Sequence, residues 1–130
     1  MYVLDTNTLI YFFKGRGNVA EQLLGRSPEE ISIPSVVLYE LEVGIAKSTN
    51  PARRRQQLDS LVSQITILPF GVQEAGISAK IRATLEREGK PIGPYDTLIA
   101  GTALANLAIL VTHNTAEFER VKGLVIEDWF

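Results

Sequence analysis

Five acids in this chain stand where surface acids seldom do. Asp5 closes the apolar run Tyr2-Val3-Leu4 and precedes a helix start at Thr6-Asn7. Asp96 begins an otherwise uncharged, small-residue helix and is the only formal charge between Lys90 and His113. Glu40 and Glu42 lie inside the helix expected over residues 35–47. Val36, Val37, Val43 and Gly44 neighbour Glu40 at helical spacing, and Leu38, Tyr39, Ile45 and Ala46 neighbour Glu42. Glu117 follows the apolar run 108–112 in the segment Thr112-His113-Asn114-Thr115-Ala116-Glu117. Each has an ordinary explanation: an N-cap for Asp5, a favourable helix-start charge for Asp96, edge acids for Glu40 and Glu42, a solvated loop acid for Glu117. The set is harder to explain. In a parallel sheet, strand ends from separated segments converge on one edge. Facing carboxylates repel and need a hard cation, and Mg²⁺ or Mn²⁺ suits an all-oxygen site. Such a site serves phosphodiester cleavage, with metal activating water and stabilising the leaving oxygen. Spacing alone leaves the choice between Glu40 and Glu42 open.

The elements that must position these acids alternate. Short strands are expected at residues 2–5, 31–33, 65–68, 108–112 and 124–126. Between them lie a helix from Thr6-Asn7, one capped by Ser35 and running to about Lys47, one opened by Asn50-Pro51, one over 72–88 stopped by Gly89, and one over 95–107. This predicts right-handed crossovers, a mainly parallel sheet and an α/β/α three-layer architecture in one domain spanning 1–130. The helix after Gly71 has a small-residue face (Val72, Ala75, Gly76, Ala79, Ala83) nearly opposite a bulky one (Ile77, Ile81, Leu85). That pattern fits a helix inside a thick core, or one whose second face meets another subunit.

The chain has 130 residues, 45% apolar and 22% charged, which is a globular balance. The absence of cysteine excludes disulfides, zinc-thiolate sites and thiol nucleophiles, and suits a cytosolic protein. Asp5 interrupts the apolar start before a signal h-region could form, and no run approaches membrane-spanning length, so no membrane association is expected. The net charge of −2 argues against non-specific nucleic-acid binding, unless cations reverse the sign locally. A phosphoacceptor receiver domain would need an acid ending its third strand, where Ile67-Leu68-Pro69 has none.

Several ordered pieces carry a resemblance. They are Leu4-Asp5-Thr6-Asn7, Tyr39-Glu40-Leu41 with Gly44, and Gly89-Lys90-Pro91-Ile92-Gly93-Pro94-Tyr95-Asp96. Ile99-Ala100-Gly101 with Ala103, Thr112-His113-Asn114-Thr115-Ala116-Glu117-Phe118, and Glu127-Asp128-Trp129 follow. Together, end to end, they resemble PIN domains, and among them the VapC toxins. The resemblance implies a PIN fold and Mg²⁺-dependent endoribonuclease activity, with Mn²⁺ able to substitute. It implies metal binding by Asp5 and Asp96, and catalytic roles for Asp5, Glu40 rather than Glu42, Asp96 and Glu117. Some relatives have aspartate where this chain has Asn114. The resemblance further implies an RNA target such as tRNA, a VapB-type antitoxin and a homodimer. A PIN nuclease of RNA maturation and a silent PIN-like binding module are the rival readings; the latter would be expected to lack these acids. His113, the sole histidine, is a candidate proton shuttle or phosphate contact, and Arg53–Arg55 a candidate guide for RNA. Tyr11, Phe12 and Phe13 read as core or antitoxin-contact residues.

Overall fold

A computed structural model describes residues 1–130. Strand β1 (Tyr2–Leu4) leads into α1 (Thr6–Lys14) and α2 (Val19–Leu24). A short 3₁₀ turn (Pro28–Glu30) precedes β2 (Ile31–Pro34), α3 (Ser35–Ala46), α4 (Pro51–Val62) and β3 (Thr66–Leu68). Then come α5 (Val72–Arg87), α6 (Pro94–Ala105), β4 (Ile109–Val111), α7 (Thr115–Phe118) and β5 (Ile126–Glu127). The five strands lie in the order β3-β2-β1-β4-β5, and every neighbouring pair is parallel. This is the α/β architecture that alternating strands and helices dictate.

The strand order matters for function. The chain builds outward from β1 through β2 to β3, then returns to the other side of β1 to lay down β4 and β5. The crossovers therefore diverge between β1 and β4 and leave a crevice at their carboxyl ends. Asp5 follows β1 at that crevice and Thr112 follows β4; the Asp5 amide donates to the Val111 carbonyl at 3.1 Å. Val3, Leu4, Ile33, Leu110 and Val111 are fully buried, and the sheet packs against Leu9 of α1, Val37 of α3, Ile99 of α6 and Phe118 of α7. A strand buried on both faces reads as continuous apolar sequence, which is why these short runs carry no alternation.

Helix α6 buries Thr97 and Ile99 through Ala103, so Asp96 is carried on a rigid, core-embedded element. It packs extensively against α5. A Cβ at Gly101 would come within 1.8 Å of the Ser78 hydroxyl oxygen, so only glycine permits this crossing. Gly89, at φ +69°, turns the chain out of α5 in the left-handed region that side chains avoid.

Several local expectations need correction. Helix α2, the 3₁₀ turn and α7, where Glu117 reads in sequence as a loop acid, were not foreseen, because six, three and four residues are too short to show a periodic face. Ser35 is not the cap of α3. Pro34 occupies that position, closes β2 and makes no side-chain cap bond. Helix α6 ends at Ala105, with Leu107 at φ +52°, and β5 lies at 126–127 rather than 124–126. The small-residue face of α5 is not inside a thick core. Val72, Ala75, Gly76, Ala79 and Ala83 are exposed, with Val72 93% exposed, while Ser78, Ile81 and Leu85 are buried and Ile77 packs partly against the core. No helix is long and apolar enough to cross a membrane.

Candidate active site at the carboxyl edge of the sheet

Asp5 is 4% exposed and does two jobs at once. Its Oδ1 accepts from the Thr8 amide at 2.9 Å, which makes it the N-cap of α1. Its Oδ2 accepts from the Thr112 hydroxyl at 2.6 Å, which ties the end of β1 to the end of β4. Burial raises the Asp5 carboxyl above its ordinary value of 3.8, the bonds from Thr112 and Thr8 pull it back, and the charge of Asp128 adds a small upward push. Capping and site formation thus coexist: one oxygen faces the helix and the other the crevice.

Asp96 is the third residue of α6, after Pro94, and is half-buried. Its carboxyl is pushed up from 3.8 to about 6. Burial contributes most, followed by the negative charges of Glu117 and Asp5, a hydrogen bond shared with Glu117, and the charge of Glu40. One carboxyl therefore senses the other three, drawn from β1, α3 and α7. The converging acids stand within electrostatic reach of one another at one end of the sheet.

Glu40 and Glu42 divide as helical geometry requires, since residues two apart are about 200° apart around the axis. Val37, Leu41 and Ile45 form the buried stripe of α3. On one flank the Thr6 hydroxyl donates to Glu40 Oε1 at 2.7 Å, which turns that carboxylate toward the start of α1. On the other flank Glu42 is held by the Arg55 guanidinium of α4 through two hydrogen bonds, one of 2.8 Å. Arg55 lowers the Glu42 carboxyl below the usual range. Glu42 is thus committed to a surface ion pair away from Asp5 and Asp96.

Glu117 lies in the first turn of α7, where the Asn114 side-chain amide donates to its Oε2. The Asn114 backbone N–H donates to the Thr112 hydroxyl oxygen at 3.0 Å, and Thr112 donates to Asp5. Asn114 therefore links the fourth acid to the first through Thr112. The threonines were missed in the sequence, although Thr112 ends an apolar strand and Thr6 adjoins Asp5, which marked both as candidates to contact the acids.

His113 engages other partners. Its Nδ1 lies 2.9 Å from Asp128, its ring stacks on Phe130 with centroids 4.2 Å apart, and Tyr11 meets it edge-on. Thr112 and Asn114 bond toward the acids, and the intervening side chain takes the other side of the segment. Of the arginine run, Arg55 is taken by Glu42, while Arg53 and Arg54 are exposed. Tyr11 packs on Phe130, and Phe12 and Phe13 pack against the core and line a cavity between α1, α2 and α4.

As the side chains stand, no three acidic or histidine groups are close enough to enclose a metal ion. The donors near the crevice are all oxygens, and Asp96 sits among the like charges of Glu117, Asp5 and Glu40. That donor set and that repulsion fit a hard divalent cation.

The parallel sheet gathers Asp5, Glu40, Asp96 and Glu117 around one switch-point crevice, the place where an open α/β sheet binds its ligand. Residues 2–124 match the PIN-domain family, and the chain belongs to it. Over 98% of its length it is 40% identical to a Shigella flexneri protein described as tRNA(fMet)-specific endonuclease VapC, covering 97% of that protein. A Salmonella typhimurium protein of the same description is 38% identical over the same shares. Ribonuclease VapC2 of Rickettsia felis is 35% identical over 99% of this chain and 98% of its own. Two solved complexes superpose with TM-scores of 0.92. One is VapBC2 from Rickettsia felis bound to a DNA fragment from its promoter, at 34% identity. The other is DNA-bound VapBC from Salmonella typhimurium, at 38%; each comparison covers 99% of this chain and 98% of the other. Within the PIN class the chain is a VapC-family ribonuclease.

Proposed function

We propose that this chain is the toxin of a VapBC-type pair, an endoribonuclease that cleaves RNA with Mg²⁺ held at the β1–β4 crevice. The reading is carried by the convergence of Asp5, Glu40, Asp96 and Glu117 at one switch-point crevice, in a chain matched over 98% of its residues by a VapC endonuclease. Asp5 and Asp96 would hold the ion, with Glu40 and Glu117 completing the acidic ring; Mn²⁺ would serve in its place. When bound, such an ion supplies Lewis-acid stabilisation of the charge that develops on the phosphate during displacement. The chain's own part is orientation. Thr112 and the Thr8 amide hold both oxygens of Asp5, Thr6 holds Glu40, and Asn114 holds Glu117. These partners fix the carboxylates without neutralising them, which preserves their affinity for a cation.

The VapC relatives described as tRNA(fMet)-specific make initiator tRNA the first substrate to test. The VapBC complexes among the solved structures support a VapB-type antitoxin as partner. The exposed small-residue face of α5 is the surface through which a homodimer would form, since small side chains let helices approach closely. Purified protein should cut initiator tRNA in Mg²⁺ or Mn²⁺ and stop on chelation. Asp5→Asn and Asp96→Asn should each lose at least about 100-fold. Full cleavage in chelator, or by both variants, refutes the reading. In cells, expression should arrest growth and the co-encoded antitoxin should relieve the arrest; harmless expression of an active nuclease would point to RNA maturation instead.

A further inference from the structure

An acidic crevice repels RNA, and the whole chain carries −2, so a polyanionic substrate must be held by cations placed nearby. One cavity supplies them. It has a volume of about 420 Å³, lies among α1, α3 and the first turns of α4, and includes Glu40 in its wall. Lys14, Lys47 and Arg54 line it, all three are exposed, and none has an acidic partner. Glu40 is the only acid in its lining. Lys14 ends α1 and Lys47 caps α3, where a lysine also serves the helix dipole. Arg54 has no such role. It stands in the first turn of α4, where the dipole disfavours a cation, and no carboxylate compensates.

Gly44 is the second, independent observation. It lies one turn beyond Glu40 on the same stripe of α3, lines the same cavity and is exposed. Glycine is among the poorest residues for a helix interior. A Cβ there would meet nothing within 4 Å, so packing inside the chain does not call for it. What the missing side chain leaves is room for another molecule's backbone to lie against the helix.

We propose that this cavity is the backbone subsite for the RNA substrate. Lys14, Lys47 and Arg54 hold phosphates flanking the one cut at the carboxylates, and Gly44 lets the sugar–phosphate chain pass close to α3. The proposal rests on the RNA-cleavage reading above.

The test is steady-state cleavage of tRNA by the full chain across a salt series, for wild type, Lys14→Gln, Lys47→Gln, Arg54→Gln, Gly44→Ala and Gly44→Leu. Each glutamine variant should raise KM roughly 3- to 10-fold, with a far smaller change in kcat. Each should also flatten the dependence of log KM on log salt by roughly 0.7. Gly44→Ala should melt higher than wild type, and Gly44→Leu should stay folded yet raise KM. Wild-type protein that cuts no RNA overturns both readings. Wild-type cleavage with unchanged KM and salt slope in the glutamine and leucine variants overturns the subsite alone. Glutamine variants that cut normally but bind the antitoxin more weakly assign the cavity to that protein and overturn it equally.

Discussion

Replacing Asp96 by asparagine should stabilise the metal-free protein at pH 8 while abolishing cleavage. The carboxyl is raised from 3.8 to about 6 by burial and by Glu117, Asp5 and Glu40. Each tenfold change in acid affinity is worth about 1.4 kcal/mol, which sets a ceiling of about 3 kcal/mol on the cost of ionising this group in the fold. Asp96 is only half-buried, so solvent screening leaves about 1–2 kcal/mol. Loss of a favourable charge in the first turn of α6 takes back about 0.5 kcal/mol. The net gain is about 1 kcal/mol, or roughly 3–5 °C in Tm for a chain of this size. The sign follows from linkage: between the unfolded and folded values the unfolded chain has released a proton that the fold still holds, so stability falls as pH rises through that window. Below about pH 4 the carboxyl is protonated folded or unfolded, and the variant gains nothing. The gain develops between about pH 4 and 6 and is constant above. Urea unfolding in chelator at pH 3.5, 5 and 8 reads it directly, and added Mg²⁺ should then stabilise wild type more than the variant. A variant less stable than wild type at pH 8, or a gain equally large at pH 3.5, refutes the reasoning that like charges crowd Asp96.

The remaining tests use single side chains. Glu40→Gln should abolish cleavage with the fold intact, whereas Glu42→Gln should keep most activity and lose only its pair with Arg55. A dead Glu42→Gln beside an active Glu40→Gln, both at saturating Mn²⁺, would reverse the assignment of the α3 face. Glu117→Gln should fall between them, because Asn114 is neutral where some relatives carry an acid. Thr112→Val removes a bond that holds the buried Asp5 carboxyl down. It should cost about 1–3 kcal/mol in denaturant and move the acid limb of the pH–rate profile upward; an unmoved limb contradicts this role. Light scattering at micromolar concentration should show a dimer that Ala79→Glu, on the exposed face of α5, dissociates; a wild-type monomer removes the dimer claim.

Much of this was legible along the chain, because the information was local. Apolar runs of three to five residues, punctuated by Pro34, Gly71, Gly89 and Gly93, set out strands, helices and their order. Parallel crossovers then require the strand ends to share an edge, which is how Asp5 and Glu117 could be placed at one end of the sheet from sequence alone. The pieces that escaped are those too short for a period, α2, the 3₁₀ turn and α7, together with the ends of β5, where hydrogen bonding across the sheet decides the boundary, and of α6, which Leu107 leaves in a left-handed turn. Tertiary structure alone decided how each helix is rotated about its axis. Glu40 and Glu42 have equally apolar neighbours in sequence, and only the packing of α3 between α1 and α4 turns one to Thr6 and gives the other to Arg55. The same holds for α5, whose two apolar faces look alike on a wheel while only the bulky one meets α6 and the core. A sequence specifies which residues share a stripe. Which stripe faces the crevice depends on what the neighbouring elements bring to it, and that is a property of the assembled chain.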